Sequence, residues 1–240
     1  MIIVLPVEGL PEIQAGDDLA AMIAAAVELE DGDVVCVAHK VVSKAEGRVV
    51  ALAEVEPSEE AISLAGDGDP RKLEVILRQS ARVLRSRPPL VIAETRHGFV
   101  CASAGVDASN APAPDQVVLL PEDPDASAAA LRGALEARTG RSLGVIVTDT
   151  FGRSWRLGIA NVAIGAAGIE VLRDHTGQHD PAGYELHSTV IALADEIAAA
   201  AELVMGKTDR VPAAVVRGLS VAGDGTGADL VMPADQDLFR

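Results

Sequence analysis

Gly144–Arg156 reads GVIVTDTFGRSWR. Leu143–Val147 make an apolar, β-branched run, the mark of a buried strand, which ends in polar Thr148. Asp149 and Thr150 follow at its carboxyl end, then Gly152 and Arg153. In an open α/β sheet the carboxyl ends of the strands face the ligand crevice. An acid and a hydroxyl placed there suit a hard cation and the phosphates it accompanies. Arg153 and Arg156 could pair with phosphate or carboxylate in bidentate fashion. A β-turn carrying surface arginines is the plainer alternative.

The elements around this stretch set the fold class. Met1–Leu5 and Val34–Ala38 read as further strands, and Val117–Leu120 and Ala213–Val216 as two more. Leu90–Ala93 and Phe99–Ser103 form a hairpin across Arg96-His97-Gly98. Of two later apolar segments, Ile159–Ile164 and Ile169–Leu172, at least the second should be a strand. Helices are expected from Asp17 and Asp18 to Glu30, over Ser58–Ala65, over Arg71–Ser86 and from Pro124 to Arg138 before Gly140. A last helix is expected over Thr189–Met205, stopping at Gly206. Strands and helices interleave without strict alternation. That predicts a mixed α/β or α+β fold with at least one mixed sheet. The best linker is Ala111–Asp115 (APAPD). It is so short that residues 1–240 read as a single domain of two closely packed lobes.

Composition narrows the function. The chain has 240 residues, 49% of them hydrophobic, enough for a sizeable core, but only 2% aromatic. Val, Ile, Leu and Ala must therefore fill that core. Trp155 and Tyr184 are the only Trp and Tyr, so a base-stacking platform for single-stranded nucleic acid is excluded. The net charge is −16, which removes a basic nucleic-acid footprint. An anionic ligand must be held locally, by a few basic groups, backbone amides or a metal. Cys36 and Cys101 each sit in an apolar run and read as buried, reduced thiols. The N-terminus has no basic region and meets Pro6 early, and no stretch of about 18 apolar residues occurs. A cytoplasmic protein that does not enter the membrane is expected.

Two more segments are polar where a core would not be. Ala104–Asn110 (AGVDASN) places Asp107, Ser109 and Asn110 after an apolar strand. It suits Mg²⁺ or Mn²⁺, or else an Asx-turn. Val41–Arg48 (VVSKAEGR) sets Lys44 in a polar turn after a strand, as a point charge for a phosphate or as a solvated lysine. No GxxxxGK[ST] string occurs, and Gly105, Gly140 and Gly165 form no dinucleotide fingerprint. His175 and His179 have metal-ligand spacing, but Gly177, Pro181 and Gly183 make the segment a loop. It reads as a substrate-facing loop rather than a zinc site.

Taken together, these segments resemble one family, the coenzyme F-420-0:L-glutamate ligases, or F-420-0 gamma-glutamyl ligases. The matching strings are LPVEGLPEI at the start, GDDL at 16–19, DGDVV at 31–35, VVSKAEGR at 41–48 and AGVDASN at 104–110. LLPEDPDASA at 119–128, VIVTDTFGR at 145–153, ADEIAAAAELVMGK at 194–207 and AAVVRGL at 213–219 follow in order. Some relatives carry an additional nitroreductase-like domain, and this chain resembles the stand-alone form.

The resemblance implies a two-lobed α/β fold, neither P-loop nor ATP-grasp, in a homodimer. It implies GTP-dependent addition of L-glutamate to the lactyl carboxylate of a deazaflavin precursor through an acyl phosphate, then a γ-linked glutamate. That acyl phosphate makes Asp174–Tyr184 the candidate lid. Mg²⁺ or Mn²⁺ is implied as cofactor and K⁺ as a monovalent activator. Leu10, Pro11, Glu12 and Ile13 match a nucleotide-contacting loop. His39, Lys40, Lys44, Asn110, Met205 and Gly206 match further GTP contacts. Asp107 and Asp149 match metal ligands, and Thr150 a ligand of a second metal. Lys207 departs from the pattern, since a metal-binding Glu is expected there. Either a second metal is not bound or Lys207 takes over its charge. A metal-dependent GTP phosphohydrolase or a silent nucleotide-binding subunit on the same scaffold stays open as an alternative.

Overall fold

The computed structural model describes residues 1–238. In chain order the elements are β1 (Ile3–Pro6), α1 (Leu19–Ala26), β2 (Val34–Ala38), α2 (His39–Ala45), β3 (Val49–Ala51), α3 (Glu59–Ala65) and α4 (Pro70–Gln79). There follow β4 (Ser80–Arg87), β5 (Leu90–Thr95), β6 (Val100–Ala102), β7 (Gln116–Val118), α5 (Pro124–Thr139), β8 (Gly144–Arg153) and β9 (Arg156–Ala167). The chain closes with β10 (Arg173–Asp174), β11 (Val190–Ile191), α6 (Leu193–Met205) and β12 (Ala213–Arg217).

A five-stranded mixed sheet in the order β1-β12-β2-β8-β9 forms the centre. Only β2 and β8 run parallel, from Val34 opposite Gly144 to Ala38 opposite Thr148. Val34–Val37 and Val145–Val147 are fully buried, as strands covered on both faces must be. Residues of α1 and α5 pack on one face with Val35, Val37, Val145 and Val147. Residues of α6 pack on the other face with Val34, Cys36 and Ile146. A third core, drawn from residues between Leu52 and Leu119, joins α3 and α4 to β5 and β7. The fold is mixed α+β, as the interleaving predicts.

Helix starts follow local chemistry. Asp18, Ser58, Asp69 and Asp123 each cap the helix that follows, accepting from a backbone amide in its first turn. Pro70 and Pro124 occupy first helical positions, where no amide partner is lost. Gly140 closes α5 in the left-handed conformation. Asp33, wholly buried before β2, is gripped by Arg217 of β12 through two 2.8 Å bonds. Cys36 and Cys101 are buried and unpaired. Among the described residues no helix is long and apolar enough to cross a membrane.

Several boundaries depart from the sequence reading. The helix expected to reach Glu30 ends at Ala26, because Asp33 accepts the Glu30 amide at 2.8 Å and holds the intervening residues as a turn. The helix expected over Arg71–Ser86 ends at Gln79, and Ser80–Arg87 is β4. Its apolar stripe of Leu73, Ile76 and Leu77 meets Ser80 at the next core position, and β5 supplies backbone partners. Val41–Arg48, read as a polar turn, is mostly α2. Residues 189–192 precede α6 and contain β11. Ile169–Leu172 is not a strand. Ile159–Ile164 belongs to β9 instead, and Ile169 makes only isolated bridges to Ala222 and Gly225. Finally, β8 does not stop at Thr148. It runs on to Arg153 because β9 pairs with it that far.

Candidate functional site

The parallel pairing of β2 with β8 ends at Ala38 and Thr148, and the next residue of each strand enters the site. On one side the next residue is His39, first in α2. On the other it is Asp149. Their side chains meet, with His39 Nε2 at 3.3 Å from Asp149 Oδ1. His39 is only 2% exposed. The Asp149 carboxylate also accepts the Thr150 amide at 2.6 Å.

Lys40, next along α2, reaches the other acid. Its Nζ lies 2.5 Å from Asp107 Oδ2 and 2.6 Å from Ser109 Oγ. Asp107 follows a kink in which Ser103 and Ala104 adopt positive φ, and it is fixed in register by a bridge to Val118. Burial would raise its pKa, but Lys40 and two hydrogen bonds from Ser109 outweigh that and hold it below the usual carboxylate range. The Asx-turn read from the sequence is therefore present, and it presents the same carboxylate to Lys40. Asn110 is exposed at the end of this turn, with a φ of 57°.

One turn further along α2, Lys44 is buried with only its tip reaching outward. Nζ lies 2.5 Å from Oε1 of exposed Glu12. This ties α2 to the loop carrying Leu10, Pro11, Glu12 and Ile13, where Ile13 is buried and Pro11 is exposed. Three basic or ionisable residues of one short helix thus contact Asp149, Asp107 and the Glu12 loop.

Thr150 points the other way. Successive side chains of a strand alternate between faces. Asp149 shares its face with Phe151, which packs edge-on against Phe99 at 6.3 Å between centroids. Thr150 Oγ1 lies 2.6 Å from Asn161 Oδ1 and 2.6 Å from Lys207 Nζ. Lys207 also reaches Asn161 Oδ1 at 3.2 Å and Glu202 Oε1 at 2.8 Å. An ammonium group therefore donates to three oxygen acceptors where the resemblance implies a second cation. Met205 is buried at the end of α6. Gly206 has a φ of 61° and a ψ of −173°, a backbone conformation essentially confined to glycine. Asn161 and Glu202 were not found by sequence reasoning. The one signal was a lone amide within the apolar run IANVAI.

Among the described residues, no three His, Cys, Asp or Glu side chains converge to hold a metal ion alone. The donors present still fit a divalent ion shared with a phosphorylated ligand, because Mg²⁺ is commonly bound by one or two carboxylates plus phosphate oxygens. The buried Nε2 of His39 has no hydrogen-bond partner, its approach to Asp149 being close but misaligned. An orphaned nitrogen beside a carboxylate is what a cation position looks like. Cys101 is a poor donor. Burial, then the charge of nearby Asp149, pushes its thiol up to about 12.

The Asp174–Tyr184 segment lies on a projecting hairpin stem, with β10 paired to β11 and a bridge between His179 and Glu185. His175 Nδ1 contacts Gln178 Oε1 at 3.0 Å. A shallow cleft lined by Phe99, Phe151, Val162, Val231 and Met232 continues along the Asp149 face of the sheet.

Comparison with known proteins places this geometry. The family model described as "F420-0:Gamma-glutamyl ligase" matches residues 9–218. A "Coenzyme F420:L-glutamate ligase" of Methanopyrus kandleri is 48% identical, with 98% of each chain covered. A protein of the same name from Archaeoglobus fulgidus is 45% identical, covering 99% of this chain and 96% of its own. Another from Methanothermobacter thermautotrophicus is 43% identical, covering 98% and 97% respectively. With matches of this extent, the chain belongs to the F420-0:gamma-glutamyl ligase family.

Proposed function

We propose that this chain is a GTP-dependent carboxylate–amine ligase, joining L-glutamate to the lactyl carboxylate of coenzyme F-420-0 and then a further glutamate by a γ-linkage. The observation that carries the reading is the gathering of Asp107, Asp149 and Lys44 around α2, beside the loop that holds Glu12. The names of the relatives and of the family point to L-glutamate and an F420 acceptor, while GTP rests on the resemblance.

The chemistry needs two steps. An oxygen of the acceptor carboxylate attacks the γ-phosphorus of GTP, the bond to the β-phosphate oxygen breaks, and GDP leaves. The acyl phosphate formed is then attacked by the glutamate amine, which loses a proton as inorganic phosphate departs. Both steps bring anions together, so the protein must offset charge and orient groups. Mg²⁺ or Mn²⁺ held by Asp107 and Asp149 would supply charge neutralisation for the phosphates when bound. Lys44 brings a further positive charge from the protein side. Lys40 holds Asp107 ionised and aimed. Leu10, Pro11 and Ile13 with Asn110, Met205 and Gly206 would flank the nucleotide. Lys207, bonded to Thr150, adds charge on the opposite face of β8. K⁺ as an activator rests on the resemblance alone.

The cleft beside Phe99 and Phe151 suits the flat ring of the acceptor, since it gathers two of the chain's three Phe residues. On this reading the Asp174–Tyr184 hairpin would exclude water from the acyl phosphate. Trp155 and Leu157, at the tip joining β8 to β9, are 81% and 97% exposed, and Ile159 follows on β9. Covering these side chains favours a homodimer.

The test is a nucleotide assay with purified protein, GTP and Mn²⁺. GDP release that requires both the precursor and L-glutamate supports the ligase. Equal release without either acceptor would establish a phosphohydrolase instead.

A further inference from the structure

His39 is a buried ionisable side chain at the site whose position the proposed reaction does not explain. A GTP contact through its ring is hard to reconcile with 2% exposure, since the imidazole faces inward from the first residue of α2. A buried polar nitrogen without a partner is destabilising, so its retention needs a reason. The ring is oriented from behind, with Nδ1 3.5 Å from Ser43 Oγ one turn along the helix. Nε2, without a hydrogen-bond partner, lies 3.3 Å from Asp149 Oδ1, close enough for both atoms to bind one cation. Adjacent ligand atoms on an ion with bonds of about 2.1 Å are themselves about 3 Å apart.

We propose that His39 binds the divalent ion at Asp149 through Nε2, giving the site a nitrogen donor and a preference for a transition-metal ion such as Mn²⁺ over Mg²⁺. The inference rests on the metal-dependent reading above. Its chemical basis is that imidazole is a softer donor than carboxylate or water and raises affinity for first-row transition metals relative to Mg²⁺. Ser43, by fixing the ring, is a positioning residue of the kind that metal-bound histidines need.

The experiment is pulsed electron paramagnetic resonance on the full-length protein loaded with Mn²⁺ and tripolyphosphate, a nitrogen-free phosphate ligand. The expected result is strong ¹⁴N modulation from a directly bound imidazole. It should become ¹⁵N coupling in protein grown on ¹⁵N-histidine and disappear in His39→Gln. The Mn²⁺-to-Mg²⁺ affinity ratio should also fall by about tenfold in that variant. Mn²⁺ that binds wild-type protein without histidine coupling would overturn the proposal and leave the metal reading intact. Failure of wild-type protein to bind Mn²⁺ at all would overturn both. Should His39→Gln not fold, the ¹⁵N-histidine spectrum of the wild-type protein still decides.

Discussion

Lys44 Nζ and Glu12 Oε1 lie 2.5 Å apart, joining a buried lysine to an exposed carboxylate on the loop before α1. The lysine stem is held in the core while its charge is directed at the proposed nucleotide site. A charge-assisted hydrogen bond from Lys44 to a nucleotide phosphate would be worth about 1.5–3 kcal/mol. Lys44→Met is therefore expected to raise the KM for GTP roughly 10–100-fold, with the fold intact by circular dichroism. Glu12→Gln removes the partner and leaves the lysine charge. A KM unchanged in Lys44→Met would remove Lys44 from nucleotide binding.

Asp149 is the acid nearest the end of the parallel strand pair, where β2 hands over to α2. Asp149→Asn keeps the shape and the Thr150 amide contact while removing the charge. Turnover should fall by about 10²-fold or more. Mn²⁺ affinity, measured by calorimetry, should fall with it. Near-normal activity would contradict the metal assignment.

Lys207 sets the cation count on the other face of β8. Its ammonium already lies against Thr150, Asn161 and Glu202. The wild-type protein is expected to bind one Mn²⁺ per chain with tripolyphosphate present. Lys207→Glu, which exchanges the ammonium for a carboxylate beside the same oxygens, is expected to bind two. Two tight equivalents in the wild-type protein would show that Lys207 does not replace a metal.

A pH prediction comes from the join between α3 and α4. Hydrogen bonds from the Ser58 hydroxyl and amide, followed by Arg78, lower Glu74 from its ordinary 4.5 to about 2. A carboxylate with a depressed folded-state pKa contributes stability that is full above about 4.5 and is lost as pH falls toward 2. Urea midpoints measured from pH 6 to 2.5 should fall more steeply for wild-type protein than for Glu74→Gln. Parallel curves would show that the Ser58 contact carries no pH-dependent stability.

The strands and long helices were legible because local chemistry and tertiary context agree there. VVCVA is β-branched and buried on both faces, and α5 starts at Asp123-Pro124 and stops at Gly140. α2 was missed because HKVVSKA carries β-branched and polar residues that favour no helix on their own. It forms where the chain leaves β2 and must bring His39, Lys40 and Lys44 to three different partners. The apparent end of β8 was misread because Thr148-Asp149-Thr150 looks like the polar exit of a buried strand. Pairing with β9 carries the strand on, and that continuation sends Asp149 and Thr150 to opposite faces. No residue pattern announces which face a side chain takes once the end of the strand is misplaced. The acids themselves were found, since a carboxylate after an apolar run stands out in sequence. Asn161 and Glu202, which meet Lys207 beside Thr150, depend on contacts from distant segments, and only the fold shows those.

The most direct measurement is mass spectrometry of the reaction of purified protein with GTP, Mn²⁺, L-glutamate and the precursor that lacks glutamate. The account predicts product heavier by one or more glutamyl units, formed only when all components are present, with GDP accumulating one for one. GDP without any heavier product, or no reaction of either kind, would contradict it.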